Sequence, residues 1–172
     1  EFVPIFLPFL MASNVHPNAK AAFIGMCASH TRKHLARSIY EGIVFCHKHH
    51  LERLLTTRER EPDCIRLAGG ASKSAVWMQM FADILGYPIE TIDGNETGAL
   101  GCAMAAAAAV GEYADLHEAA AQMCPVGKRF EPNLGVADAY ATRYALYRKA
   151  ISCLETLWDD VQKAIEGCEE RA

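Results

Sequence analysis

One stretch of the chain decides the fold: Arg66-Leu67-Ala68-Gly69-Gly70-Ala71-Ser72-Lys73-Ser74. The apolar run from Cys64 to Ala68 predicts a strand that leads into the diglycine. After the turn, apolar residues recur on one helical face, at Trp77, Met80, Phe81, Ile84 and Leu85. Gly86 is placed to end this predicted helix as a C-terminal cap. A strand, a tight turn and a helix in this order indicate an α/β protein.

The diglycine turn has two chemical interpretations. Glycine reaches positive φ without strain and lets a ligand press against the backbone. The amides that follow the glycines can point their N–H groups toward an anion, so the turn suits a nucleotide. The turn is not a Walker A loop, because Lys73-Ser74 lacks a preceding glycine, and no G-x-G-x-x-G occurs. Taken alone, the pattern favours a plain structural turn over a nucleotide site.

Composition limits the possible functions. The 172 residues are 51% hydrophobic, which suits one compact domain with a real core. A net charge of −4 without a long basic run argues against nucleic-acid binding. No apolar stretch approaches the roughly 20 residues that a membrane span needs. We therefore expect neither a nucleic-acid nor a membrane partner, and a small ligand.

The cysteines indicate the cellular compartment, and the first residues indicate whether the chain is a whole protein. Seven cysteines are spread singly without a Cys-x-x-Cys pair, which favours free thiols in the cytosol. The chain begins at Glu1 without a methionine, directly in an extended apolar pattern. We expect residues 1–172 to be one domain cut from a longer protein.

The remaining elements follow from local patterns. A helix capped by Ser29 or Thr31 is predicted to end near Leu55, and a second runs from Thr97 to Val110. Asp115 is placed to cap a short helix. The other predicted segments are short edge strands or irregular extended structure in the proline-punctuated stretch Phe2–Leu10, a loop over Asn14–Asn18, a buried strand over Ala21–Met26, a strand over Pro88–Ile92, a turn at Asp93-Gly94-Asn95 and an extended stretch between Pro125 and Pro132.

A long apolar stripe marks the C-terminal part. Its members recur at helical spacing: Tyr140, Tyr144, Tyr147, Ile151, Leu154, Trp158, Val161 and Ile165. We interpret the stripe as the core-facing side of a terminal helix. The alternative is a coiled-coil seam, which would make this part an interaction module.

Three motifs in order resemble one enzyme family. The first comprises Ala21-Ala22-Phe23-Ile24-Gly25-Met26, His34-Leu35 and Ser38-Ile39-Tyr40-Glu41. The second is Ala68–Ser74 with Trp77-Met78-Gln79 and Ala82–Gly86 behind it. The third is Glu96-Thr97-Gly98-Ala99-Leu100-Gly101-Cys102-Ala103. Together they resemble the C-terminal domain of the FGGY carbohydrate kinases. The segments His30–His34 and Tyr40–Phe45 resemble the xylulose-type branch, which includes kinases of L-xylulose and 3-keto-L-gulonate.

The resemblance implies a fold and a ligand site. The implied fold is a ribonuclease-H-like α/β domain of the actin and hexokinase superfamily, with a mixed central sheet and helices on both faces. It implies ATP with Mg²⁺, the adenosine lying against Gly69, Gly70, Ala71 and Ser74. Some relatives carry asparagine where this chain has Ser74.

The resemblance also implies partners that lie outside this chain. The catalytic base and most sugar contacts belong to an N-terminal kinase domain, so no catalytic residue is assigned here and the chain alone is expected to be inactive. The substrate is a small sugar, and family members are often homodimers. The alternatives are a noncatalytic actin-like nucleotide-binding domain and a kinase of glycerol or another polyol.

Other candidate residues have simpler interpretations. The carboxylates near the turn, Asp63, Asp83, Glu90 and Asp93, carry no catalytic motif and are expected to be solvated charges and caps. Glu41 is expected to be structural, bonding a nearby turn. Lys73 either reaches a phosphate or points to solvent. His30 and His34 have a spacing that can bind zinc, and His47, His49 and His50 follow, but no motif places a third ligand. We therefore predict no metal site.

Overall fold

The computed structural model describes residues 2–11, 13, 15–92 and 96–169. These residues fall into two compact units, Glu1–Glu59 with Gly135–Ala172, and Arg60–Leu134. The predicted turn at 93–95 lies outside the described residues, as does part of the predicted loop over 14–18. In the described ranges, no helix is both long enough and apolar enough to cross a membrane.

The first unit combines two short strands with two long helices. Its elements are β1 (Ile5–Leu7), β2 (Ala22–Ile24), α1 (Arg32–Leu55) and α5 (Ala137–Glu169). A 3-10 turn over Leu134–Val136, whose first residue belongs to the second unit, precedes α5. β1 and β2 pair antiparallel, with Phe6 opposite Phe23. β1 is buried, whereas Phe23 of β2 is 38% exposed, so the prediction of a buried second strand was wrong. The side chains of a strand are buried only where another element covers that face of the sheet, and an apolar run does not show whether it is covered.

Helix α1 packs against β1 at a glycine. A Cβ built on Gly42 would overlap the backbone carbonyl oxygen of Phe6. Only a residue without a side chain lets the two backbones approach so closely. The core that results contains Leu7, Val44 and Phe45, each at most 1% exposed.

Helix α5 covers this core with the predicted stripe. Tyr144, Tyr147 and Trp158 are all 6% exposed or less. The Tyr144 and Tyr147 rings lie 5.7 and 5.6 Å from the Phe45 ring. Ile165, the last member of the stripe, is 38% exposed. The core-facing interpretation is therefore confirmed as far as Trp158.

The second unit contains a three-stranded mixed sheet. Its elements are β3 (Ile65–Leu67), a 3-10 turn (Gly70–Lys73), α2 (Ala75–Leu85), β4 (Ile89–Ile92), α3 (Thr97–Ala109), α4 (Leu116–Met123) and β5 (Val126–Phe130). β4 is central, parallel to β3 and antiparallel to β5. The apolar face of α2 is buried, with Met78, Phe81, Ala82 and Ile84 at most 3% exposed. The predicted α/β class with a mixed sheet is confirmed, and the described strands form two small sheets.

Several helix boundaries agree with the residues that predicted them. Thr31 is the N-cap of α1, which ends at Leu55 as predicted. Gly86 ends α2 in the left-handed conformation, with φ of 80°. The Asp115 carboxylate accepts a hydrogen bond of 2.8 Å from the Glu118 amide at the start of α4. These caps satisfy amides and carbonyls that a helix end leaves unpaired.

Candidate functional site

The diglycine joins β3 to α2 through a turn that glycine makes possible. β3 ends at Leu67, and Gly69 follows with φ of 91° and ψ of −169°. This backbone conformation is essentially confined to glycine, because a Cβ would crowd the adjoining peptide groups of the residue's own backbone. Gly70 then begins the 3-10 turn, and Ser74 returns to an extended conformation before α2. The structure thus brings the predicted Gly69, Gly70, Ala71 and Ser74 together in one continuous turn.

The backbone of both glycines is open to approach. Both residues are exposed, and a Cβ built on either would have no neighbouring heavy atom within 4 Å. A flat ligand surface can therefore reach this backbone without displacing a side chain. Ala71 and Ser74 are half-buried beside it.

Ser72 fixes the shape of the turn. Its hydroxyl donates to the Gly69 carbonyl oxygen at 2.7 Å, and its amide donates to the same oxygen at 3.1 Å. The Ser74 amide donates to the Ala71 carbonyl at 3.1 Å. Because the amides of Ser72 and Ser74 are used inside the turn, the expectation that the amides after the glycines face an anion was wrong for these two. The role of Ser72 was missed from the sequence, although a serine hydroxyl that bonds a turn carbonyl three residues earlier is a common local motif.

Ser74 is the N-cap of α2. Its hydroxyl oxygen accepts from the Trp77 amide at 3.3 Å, and its carbonyl accepts from the Met78 amide at 2.9 Å. A hydroxyl that accepts one bond still has a hydrogen to donate. Ser74 can thus cap the helix and contact a ligand at the same time.

Two carboxylates near the turn have structural partners. Asp83 Oδ1 accepts from Gln79 Nε2 at 2.8 Å and from the Asn133 amide at 2.9 Å. Glu90, which is 9% exposed, pairs with Arg66 Nε at 3.1 Å and with Arg129 Nη1 at 2.8 Å. The hydrogen bond from Arg66, followed by that from Arg129, lowers the pKa of Glu90. Glu90 is thus held ionised across three adjacent strands, an arrangement that stabilises a sheet and does not suit a base.

The other candidates near the turn show no catalytic arrangement. Asp63 is exposed, and Asp93 lies outside the described residues. Lys73 is exposed at the end of the 3-10 turn. From this position its side chain can reach a bound phosphate or point to solvent, as both predictions require.

The histidines at the start of α1 hold the local backbone. His30 Nε2 lies 3.2 Å from the Phe2 carbonyl, and because a carbonyl only accepts, this nitrogen is the donor. His30 Nδ1 accepts from the Cys27 amide at 3.0 Å, and His34 Nδ1 accepts from the Thr31 amide at 2.9 Å. Across the described ranges, no group of three or more histidine, cysteine or acidic side chains is arranged to hold a metal ion.

Glu41 is structural, but its partners differ from those predicted. It is 1% exposed and accepts from Arg37 Nε at 2.7 Å and from Arg143 Nε at 2.8 Å. These arginines lie on α1 and α5, so the carboxylate joins two helices and does not bond a turn. The prediction of the partner was wrong because Arg143 lies 102 residues away in sequence.

Solved structures share this architecture. The ligand-bound xylulose kinase from Lactobacillus acidophilus matches with a TM-score of 0.82 and 28% identity, over 92% of this chain and 32% of that one. The xylulose kinase from Rhodospirillum rubrum matches with a TM-score of 0.78 and 26% identity, over 91% and 31%. The fold is therefore that of sugar kinases of the actin and hexokinase type.

Sequence relatives narrow the class to a family. The chain is 39% identical over 155 residues to a probable L-xylulose kinase of Pasteurella multocida, covering 89% of this chain and 30% of the relative. It is 40% identical over 152 residues to the L-xylulose/3-keto-L-gulonate kinase of Escherichia coli, covering 87% and 30%. Glycerol kinase 2 of Thermotoga maritima is 33% identical over 151 residues, covering 88% and 30%. The chain thus spans about 30% of the length of these curated relatives.

A family model settles the membership. The C-terminal domain of the FGGY family of carbohydrate kinases matches residues 1–110. The chain belongs to the FGGY family of carbohydrate kinases. The resemblance stated from its three motifs is thereby confirmed, including the similarity to the xylulose-type branch.

Proposed function

We propose that this chain is the ATP-binding part of a kinase that transfers the γ-phosphoryl group of ATP to a hydroxyl of a ketopentose or related sugar acid. The diglycine turn carries the proposal, because it offers open backbone in a chain that belongs to a carbohydrate kinase family. The proposed domain comprises residues 1–172. Since the chain spans about 30% of its relatives' length, an N-terminal kinase domain is the proposed partner.

The proposed adenosine site consists of Gly69, Gly70, Ala71 and Ser74. A planar purine can lie against the two glycines because no side chain covers them. Ala71 would contribute an apolar contact. Ser74 would donate its remaining hydroxyl hydrogen to a ring nitrogen while its oxygen caps α2.

The described residues determine which catalytic roles we propose for this chain. The proposed nucleotide complex includes Mg²⁺, which neutralises phosphate charge in phosphoryl transfer. Asp83 and Glu90 are both engaged in structural bonds, so we assign no catalytic base to this chain. The base and the sugar contacts are proposed to belong to the N-terminal domain, which would leave this chain inactive alone.

The similarity to sequence relatives favours a xylulose-type sugar as the acceptor of the phosphoryl group. Relatives named for L-xylulose are 37–40% identical, and glycerol kinases are 33–35% identical. The second candidate is accordingly a kinase of glycerol or another polyol. A noncatalytic actin-like role is disfavoured by membership of a carbohydrate kinase family.

Compartment and assembly are part of the same proposal. All seven cysteines are free, which suits the reducing cytoplasm. We propose a cytoplasmic enzyme with neither a nucleic-acid nor a membrane partner, which can form a homodimer as family members do.

Two measurements on the full-length gene product test the proposal. Calorimetry with ATP and Mg²⁺ distinguishes a nucleotide-binding protein from a structural module. A coupled assay that records ADP release with L-xylulose, D-xylulose, 3-keto-L-gulonate and glycerol identifies the acceptor. The proposal expects saturable ATP binding and the highest kcat/KM with a pentulose or the sugar acid. ATP binding without turnover of any of these acceptors would favour the noncatalytic alternative.

A further inference from the structure

Helix α5 carries a second apolar stripe beside the one that packs on the core. The members of this second stripe are Leu146, Ala150, Cys153, Leu157 and Ala164. It lies about 100° around the helix from Tyr147 and Trp158. Leu146 is 44% exposed and Leu157 is 50% exposed, whereas Tyr147 and Trp158 are buried. The described residues of the first unit therefore leave much of this stripe open.

The spacing of the second stripe suits pairing with another helix. Steps of four, three and four residues connect Leu146 to Leu157, the rhythm of helices that pack along their length. Ala150 and Cys153 lie between the two leucines, and small side chains let a second helix approach closely. From Leu146 to Ala164 the stripe extends over about 27 Å of helix rise.

The exposed charges beside the stripe are divided along α5. Arg148 and Lys149 lie in the N-terminal half, and Asp159 and Asp160 lie in the C-terminal half, all of them exposed. Lys149 and Asp160 border the stripe, on the same side of it. These two residues lie about 16 Å apart along the helix axis, which is too far for them to pair within one helix.

The four charges differ in how far their own chain engages them. Asp159 accepts a hydrogen bond of 2.8 Å from Asn18 Nδ2. Arg148 lies 4.0 Å from Glu52. Asp160 lies 3.4 Å from Lys163, but both side chains are 74% exposed, so this pair contributes little. Asp160 can therefore exchange this contact for a stronger one.

An antiparallel second copy of α5 satisfies the stripe and the charges together. When the two helices cross at the level of Glu155, Cys153 lies opposite Leu157 of the second copy, and Leu146 lies opposite its Ala164. The same register brings Lys149 to Asp160 of the second copy. Because a two-fold interface repeats every contact, this pair occurs twice. A parallel arrangement would instead place Lys149 level with Lys149 of the second copy.

We propose that the second stripe of α5 binds a second copy of this chain, with the two α5 helices antiparallel. The complementary charges on one helix favour a second copy over an unrelated protein. The proposal gives a surface to the homodimer included in the proposed function and rests on that part of it. It is independent of ATP binding, because the diglycine turn contributes no residue to the stripe.

Sedimentation equilibrium of the full-length gene product tests the surface. We expect a dimer that dissociates on dilution. Ala164→Arg places a charge in the stripe, whereas Ala141→Arg makes the same change on another exposed face of α5. We expect the first to raise the dissociation constant of the dimer about tenfold or more and the second to leave it unchanged, both with parental circular dichroism.

A charge exchange tests the antiparallel register. Lys149→Asp and Asp160→Lys each place like charges opposite one another, so each should raise the dissociation constant about tenfold at low ionic strength. The double variant restores opposite charges and should return to within about threefold of the parental value. Such a recovery requires two copies, because the residues cannot meet within one helix.

Three results would overturn the proposal. A parent protein that is monomeric at every concentration would show that no second copy binds. Equal dissociation constants for Ala164→Arg and Ala141→Arg would place any dimer on another surface. A double charge variant as weak as the single ones would rule out the antiparallel register. ADP release by the same samples reports separately on the proposed kinase activity.

Discussion

Arg143 of α5 and Glu41 of α1 form a buried ion pair, in which Arg143 Nε donates to Glu41 Oε2 over 2.8 Å. Glu41 is 1% exposed, and Arg143 also donates to the Val3 carbonyl at 3.1 Å. One guanidinium therefore links both long helices to the N-terminal segment. Removing one partner of such a pair leaves the other charge buried without compensation.

We expect Glu41→Gln to lower the free energy of unfolding by about 3–5 kcal/mol, because Arg143 loses its counter-charge. Urea unfolding followed by Trp158 fluorescence in a Trp77→Phe background reports this, since Trp158 lies in the same unit. Arg37→Gln is the control: Arg37 bonds the same carboxylate but is 58% exposed, so about 0–1 kcal/mol is expected. Equal small losses in both variants would contradict the buried-pair account.

Gly42→Ala should lower the stability of the same unit by about 1–3 kcal/mol, because the added methyl group would overlap the Phe6 carbonyl and push α1 from β1. Gly167→Ala makes the same chemical change on α5 where a Cβ meets open space. This control should be neutral or stabilise by up to about 1 kcal/mol, as alanine favours helix. The same urea measurement compares them, and a neutral Gly42→Ala would refute the close approach.

Ser74→Ala should lower the free energy of unfolding of the second unit by about 1 kcal/mol, because the Trp77 amide loses its capping oxygen. Ser74→Asn should lower it much less, since asparagine is an equally good N-cap. Urea unfolding followed by Trp77 fluorescence in a Trp158→Phe background measures both, as Trp77 lies in the second unit. If the two substitutions cost the same, the hydroxyl does not act as a cap.

The stability of the first unit should fall as the pH is lowered from 7 to 5. The pKa of His49 is lowered in the folded state by burial and then by the charge of Arg148; Glu52 opposes this lowering, and His50 and Arg53 add to it. The unfolded chain therefore binds a proton that the folded chain resists, and stability present above the unfolded pKa is lost as the pH falls. Urea unfolding at several pH values should give a flatter profile for His49→Gln than for the parent chain. Identical profiles would show that His49 contributes nothing to the pH dependence.

The helix ends could be predicted from sequence because their causes are local. The cap residues make hydrogen bonds to residues at most four positions away in sequence, as Thr31, Gly86 and Asp115 show. The predicted helix ends therefore agree with the observed ones. The pairing of Glu41 with Arg143 spans 102 residues and depends on how α5 packs on α1. No local pattern carries that information. The exposure of β2 was missed for the same reason, since an apolar run does not reveal how many neighbours a strand acquires.

Parts of the candidate site could likewise be predicted from the sequence, and other parts could not. The position of the turn and the need for glycine at Gly69 followed from the strand, turn and helix order, and φ of 91° agrees with them. The hydrogen bonds by which Ser72 closes the turn were not predicted, because they depend on the path that the backbone takes after Gly69. The contact with adenosine remains a prediction, because the shape of a turn does not show which ligand it holds.

The most direct test of the nucleotide site compares two glycine-to-valine variants in the full-length gene product by calorimetry with ATP and Mg²⁺. Gly70 and Gly167 both have open space where a Cβ would lie, and neither has φ in the left-handed region, so valine is tolerated sterically at both. Valine at Gly70 would occupy the surface proposed to hold the adenosine. We predict that Gly70→Val weakens ATP binding about tenfold or more while Gly167→Val leaves it unchanged, both with parental circular dichroism. Unchanged ATP affinity in a folded Gly70→Val protein would contradict the assignment.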